Sequence, residues 1–278
     1  MRGLELHGRE LSRLAVSEIT TFRWSFEEDI EHYQAAGITA LGIWRQKLTD
    51  FGADRGVELL LHRGLRASSL QWAGGFTGSE GGTHDESIDD ACEAIKLAHA
   101  LGAPSLILHS GSRGIHTHKH ARRLLRTAID QLLPLAEALQ VCLALEPMPR
   151  EVGTDWTFLH DWNETLGLIK DVNSDYLRAV LDLYYWGQDE QTLARIPELA
   201  PKLTLVQLAD ARQAPQLEPN RTPLGEGVLP LHAITEQLNA AGYHGFYEVE
   251  LMGEEIEATD NHDLLRRSQQ FFDRLPTE

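Results

Sequence analysis

The chain has 278 residues, 42% of them apolar, which is enough for one large core, and its 42 acidic against 25 basic side chains give a formal charge of −17. Such a surface repels polyanions and excludes nucleic acid as a partner class. The only two cysteines, Cys92 and Cys142, sit in apolar surroundings and read as reduced core residues, not a disulfide framework. The sequence shows no charged-then-apolar leader and no apolar run of bilayer length, so the expected location is the cytoplasm, away from membranes.

Short apolar runs alternate with amphipathic stretches along the chain. Strands are predicted over 14–20, 38–44, 65–71, 105–109, 141–146, 177–182, 203–207 and 245–250. Helices are clearest over 25–36, 88–101, 118–139, 162–171, 231–241 and 263–275. Glycine closes several helices just before the next strand, as in "QAAGITALGIW", "HALGAPSLILH" and "NAAGYHGFYEVE". Eight strands with helices between them, one domain over residues 1–278, favour a (β/α)8 barrel over an open doubly wound sheet. No G-x-G-x-x-G follows a strand and there is no P-loop. The "GGFTGSEGG" stretch, 74–82, reads as a mobile loop on the catalytic face.

Polar residues collect at the strand ends. The fifth strand, "VCLALE", ends in Glu146, where an ionised carboxylate is costly unless paired. The sixth ends in Asp182, the seventh in Gln207, and the eighth carries Glu248 and Glu250. Alternation along a strand places Glu146, Ala144 and Cys142 on one face and Val141, Leu143 and Leu145 on the other. Asp182, Gln207 and Glu250 then share the inward face with Glu146. Three carboxylates and an amide oxygen converging on one point make an all-oxygen cation site, suited to Mn²⁺ or Mg²⁺. The plainer reading of each residue is a strand cap or an arginine partner. Glu248 lies one layer deeper than Glu250 and is either a supporting carboxylate or itself the ligand.

His109, at the end of the fourth strand, is a candidate substrate ligand or proton shuttle, or else a satisfied histidine under a loop. Arg212 and Arg221 are candidate anchors for substrate oxygens, or surface salt bridges. Asp210 stands near both and is a candidate to hold Arg212 or Gln207 in place. Trp44 and Trp72 line a sugar-binding wall or pack under loops. His116, His118 and His120 alternate as metal ligands can, in a stretch that opens a helix and reads as solvated.

The motifs "AGITALGIWRQKL", "GLRASSL", "LILHSG", "LALEPM", "AVLDLYYWG", "LVQLAD", "RTPLGEGVLPL" and "GYHGFYEVEL" follow one another in the order of the xylose isomerase-like TIM-barrel superfamily. The sequence resembles this sugar phosphate isomerase/epimerase group over nearly its whole length. The resemblance implies one divalent metal held by Glu146, Asp182, Gln207 and Glu250, with manganese or magnesium favoured and Zn²⁺ or Co²⁺ as alternatives. Arg221 resembles the family arginine ahead of the Pro-x-Gly-Glu-Gly turn and, with His109, Arg212 and Tyr185, is a candidate substrate contact; Glu146 and Glu250 are the candidate catalytic pair, and either could serve as proton donor or acceptor. Gln207 stands where the family usually has histidine, as glutamine does in some dehydratase-type relatives, and its carbonyl oxygen can ligate a hard cation; Tyr185 replaces the histidine of the Asp-x-x-His motif after the sixth strand. Both changes remove imidazole and argue against a nitrogen-rich zinc site. The expected activity is a metal-dependent isomerase or epimerase of carbohydrate metabolism, acting on a keto sugar or polyol through an enediolate. A dehydratase of the inosose or 3-dehydroshikimate type, or a sugar-binding barrel without catalysis, are the alternatives. The expected partner is a small-molecule sugar, and a homodimer is the expected assembly.

Overall fold

The computed structural model describes residues 12–79 and 81–275. The N-terminal segment read as carrying no leader, and position 80 of the glycine-rich loop, lie outside these. Eight parallel strands close into a barrel: β1 (Leu14–Ser17), β2 (Ala40–Trp44), β3 (Arg66–Gly74), β4 (Ser105–His109), β5 (Cys142–Leu145), β6 (Leu177–Asp182), β7 (Leu203–Leu208) and β8 (Phe246–Val249). They pair in chain order, and β8 returns to β1 through Leu14↔Tyr247 and Val16↔Val249. The predicted (β/α)8 architecture is the one observed.

The two faces of each strand separate as the alternation predicts. Leu143, Leu145, Leu181, Val206 and Val249 pack outward under the helices. Ile107, Ala144, Val180 and Leu205 form a separate layer inside the barrel, with Trp72 and Phe246 against it. That inner layer is the floor on which the strand-end residues stand. Gly37, Gly102 and Gly242 sit at the predicted helix ends with positive φ, a conformation that favours residues without a Cβ.

Three differences have local causes. β1 stops at Ser17 because the chain turns at once, with Thr20 N donating to Ser17 O at 2.9 Å. Helices Arg45–Phe51 and Ala53–Arg63 escape a periodicity reading because they are short and abut at Gly52. The 74–82 stretch, expected to be mobile, is pinned over its described residues. Phe76 is buried, Thr77 Oγ1 donates to Ser112 O at 2.6 Å, and Phe76 O meets His84 Nδ1 at 2.8 Å. Among the described residues no helix is long and apolar enough to cross a membrane.

Candidate active site

At the C-terminal end of the barrel a cavity of about 270 Å³ opens above the inner layer. Its polar edge is Gln71, His109, Glu146, Gln207, Arg221 and Glu250, with Tyr185 beside them. Its apolar wall includes Trp44, Trp72, Met148, Trp156 and Met252. Barrel enzymes react at this face, because the strands fix side chains and the loops after them shape the pocket.

Glu146 follows β5 directly and is buried with its Oε2 2.9 Å from His109 Nε2, at the end of neighbouring β4. An ionised carboxylate only accepts, so the imidazole carries its proton on Nε2. His109 Nδ1 is buried without a partner. The ring is held between the indoles of Trp72 and Trp156, at centroid distances of 5.3 and 5.7 Å.

Asp182 closes β6 and is fully buried. Its Oδ1 accepts from Tyr184 N at 2.8 Å, capping the short helix Leu183–Trp186, and from Arg221 Nη1 at 3.3 Å. Its Oδ2 takes Arg221 Nη2 at 2.7 Å. Glu250, just past β8, has Oε1 3.1 Å from the same Nη2, while its Oε2 accepts from Gln71 Nε2 at 2.8 Å and Gln207 Nε2 at 2.7 Å. Burial raises the pKa of both Asp182 and Glu250, and the Arg221 charge opposes the rise. For Arg221, burial alone would favour the neutral form, but the carboxylates of Asp182 and Glu250 outweigh it and hold the guanidinium protonated.

Arg221 is 2% exposed, so it is no surface salt bridge. Its guanidinium carbon lies 4.8 Å from the ring centre of Tyr184 and 5.5 Å from that of Tyr185, within cation–π range. Nη1 also donates to Glu250 O at 3.2 Å, and Nε is buried without a partner. The loop that carries it is clasped from β7: the Asp210 carboxylate accepts from Ala211 N, Gly225 N and Leu229 N at 2.9–3.0 Å. Asp210 and Thr222 also exchange backbone bonds of 2.8 and 3.0 Å. Asp210 therefore positions Arg221 through its loop, not Arg212 or Gln207.

Glu248 sits one layer below, fully buried, accepting from Ser68 Oγ, Ser69 Oγ and Gln71 Nε2 at 2.6–2.8 Å. It supports the site from beneath, away from the cavity lining. Burial pushes its carboxyl up to about 7, against the hydrogen bonds from Ser68 and Ser69. Gln71 is the link sequence reading missed. Its Oε1 accepts from Ser17 Oγ at 3.0 Å, which turns the amide nitrogen to both Glu248 and Glu250. A polar residue inside the run "SSLQW" was the available signal. Trp156, on the segment after β5, was also missed; only its place in space puts it on the pocket wall.

The expected all-oxygen metal centre is not what the four strand-end residues form. Both oxygens of Asp182 and Oε2 of Glu250 accept from N–H donors, and Gln207 presents its amide nitrogen to Glu250. One oxygen of Glu146, the unpartnered Oε1 of Gln207 and Oε1 of Glu250, which meets Arg221 only as an ion pair, are left without a hydrogen-bond donor, whereas a hard divalent cation seeks about six oxygens. Among the described residues no group of three or more His, Cys, Asp or Glu side chains is spaced to hold a metal ion. The Arg221 guanidinium already stands between Asp182 and Glu250.

Other expectations divide. His109 and Tyr185 join the pocket with Arg221. Arg212 does not: it is 52% exposed and pairs with Glu255 and Glu226 on the surface. Trp44 and Trp72 do line the wall. His116, His118 and His120 face separate partners, Thr77 O, Glu164 and Arg123.

Solved structures share this architecture. A protein from Sinorhizobium meliloti aligns with a TM-score of 0.86 at 24% identity, over 95% of this chain and 98% of that one. The IolI protein, solved with a zinc atom, aligns with a TM-score of 0.80 at 17% identity, over 94% and 96%. An L-ribulose 3-epimerase aligns with a TM-score of 0.78 at 18% identity, over 95% and 94%. No curated protein matches the chain. The family described as xylose isomerase-like TIM barrel matches residues 30–275. With that match across nearly the whole closed barrel, the chain belongs to the xylose isomerase-like TIM barrel family.

Proposed function

We propose that the chain is an isomerase or epimerase of a neutral keto sugar or polyol-derived carbonyl compound, working by proton transfer at the carbon beside the carbonyl. The observation that carries this is the pairing of Glu146 with His109 at the edge of a cavity that also holds Glu250. Glu146 removes the carbon-bound proton. His109 donates a hydrogen bond to it and fixes its orientation. The carbon's electron pair moves toward the carbonyl, giving an enediolate. Return of the proton from Glu146 to the neighbouring carbon, with the hydroxyl proton passing to the enediolate oxygen, gives the isomer; protonation of the same carbon on its opposite face, by a Glu250 that enters the step protonated, gives the epimer. The indoles of Trp72 and Trp156 receive the C–H face of a sugar ring. The L-ribulose 3-epimerase likeness agrees with a substrate of this class, as do those to a 3-keto-D-glucoside 4-epimerase and a D-allulose 3-epimerase.

A panel of ketoses, inososes and dehydroshikimate-like acids, incubated in D₂O with and without Mn²⁺ and followed by NMR, tests the proposal. Deuterium should enter one substrate at the carbon beside its carbonyl, with an isomeric product. Exchange followed by loss of a hydroxyl would mark a dehydratase. Saturable binding with no exchange across the panel would reduce the chain to a sugar-binding barrel.

A further inference from the structure

We infer that Arg221 is a built-in replacement for the divalent cation, so that the site works without one. Three features of the chain act together. The guanidinium lies between Asp182 and Glu250, 2.7 and 3.1 Å away, and is as buried as they are. Gln207 gives Glu250 an N–H, which an imidazole ligating a metal through its facing nitrogen cannot do. Tyr185 offers the cation an aromatic face where an imidazole would compete for a metal. Each carboxylate of the group already has donors of its own: His109 for Glu146, Arg221 for Asp182, Gln71 and Gln207 for Glu250, and Ser68, Ser69 and Gln71 for Glu248.

Arg221 lines the cavity. A substrate oxygen in that cavity lies near a fixed positive charge in a dry site, where such a charge stabilises developing oxyanion character. This second role rests on the proton-transfer reading; the replacement of the metal does not.

The test is metal binding by untagged protein in the absence of any substrate, which separates it from failure of the proposed activity. Elemental analysis after gel filtration should find less than about 0.1 transition metal per chain, and millimolar Mn²⁺, Mg²⁺, Co²⁺ or Zn²⁺ should shift Tm by less than about 1 °C, since a ligand with no site adds no stability. Arg221→Met frees the carboxylates and should bind Mn²⁺ at least about tenfold more tightly than the parent, most of all when combined with Gln207→His. Near-stoichiometric metal in the parent protein, or a Tm rise of several degrees with Mn²⁺, overturns the inference. If Arg221→Met does not fold, the parent's titration decides alone.

Discussion

Glu146 and Asp210 carry different burdens, and substitution separates them. Glu146→Gln keeps the size and a hydrogen bond to His109 but removes the base. It should lower solvent exchange into substrate by about 10²–10⁴-fold while Tm moves little, which rate measurement and thermal melting check together. Asp210→Ala leaves the chemistry in place and releases three backbone donors, so it should cost about 2–4 kcal/mol in urea unfolding and raise KM by loosening Arg221. An unchanged urea midpoint would show that the loop holds itself. Residues at the strand ends were legible because the strands alternate and an acid ending an apolar run stands out. The place of Arg221 was not, because a loop folded back by Asp210 decides it, and no periodicity encodes that. Gln71 escaped notice for a related reason: its importance lies in two carboxylates nearly 180 residues away.

Among the elements, β8 sets the hardest packing problem, because it brings Glu248 into the barrel beside β2. A Cβ at Gly42 would stand 2.5 Å from Glu248 Cδ and 2.6 Å from both carboxylate oxygens. Gly42→Ala should therefore destabilise by about 1–3 kcal/mol, and Glu248→Ala should relieve much of that in the double variant, a coupling that a denaturant cycle reads directly. Glu248 also gives the barrel a pH dependence. Folded, it keeps its proton up to about 7, against 4.5 ordinarily, so between those values the folded state binds more protons than the unfolded state. Stability should fall as pH rises from about 4.5 to about 7 and then level off. Glu248→Gln should flatten part of that slope in melts at stepped pH; an unaltered slope would assign it to other buried acids, such as Asp29 beneath β1.

For the molecule as a whole, the proposed function makes charge a selector of substrate. The chain is strongly acidic, and Arg221, the one Lys or Arg among the described residues that lines the cavity, is already engaged by two carboxylates. A phosphorylated sugar would bring two negative charges to a site with no free cation to receive them. The neutral sugar should exceed its phosphate ester by at least about tenfold in kcat/KM, and added salt should narrow the gap. Equal turnover of the two would place a phosphate contact outside the cavity. At this scale the sequence was most informative: eight apolar runs at βα spacing leave few alternatives to a closed barrel. The short helices after β5, β6 and β8 stayed hidden, being single turns too short to show a helical period.

The seam between β1 and β8 governs when the site comes into existence. Thr20 Oγ1 donates to Val249 O at 3.3 Å and accepts from Leu251 N at 2.9 Å, joining residues 231 positions apart beside Glu250. Ile19 and Met252, from either side of that seam, line one pocket. A nascent chain that has not yet delivered β8 holds seven strands with two open edges, and Asp182 has neither Arg221 in its place nor Glu250 across from it. The pocket and the protection of the strand edges both depend on closing the ring, so they arrive together in a late event. A split or circularly permuted version should tolerate a break in an outer loop far better than one at this join.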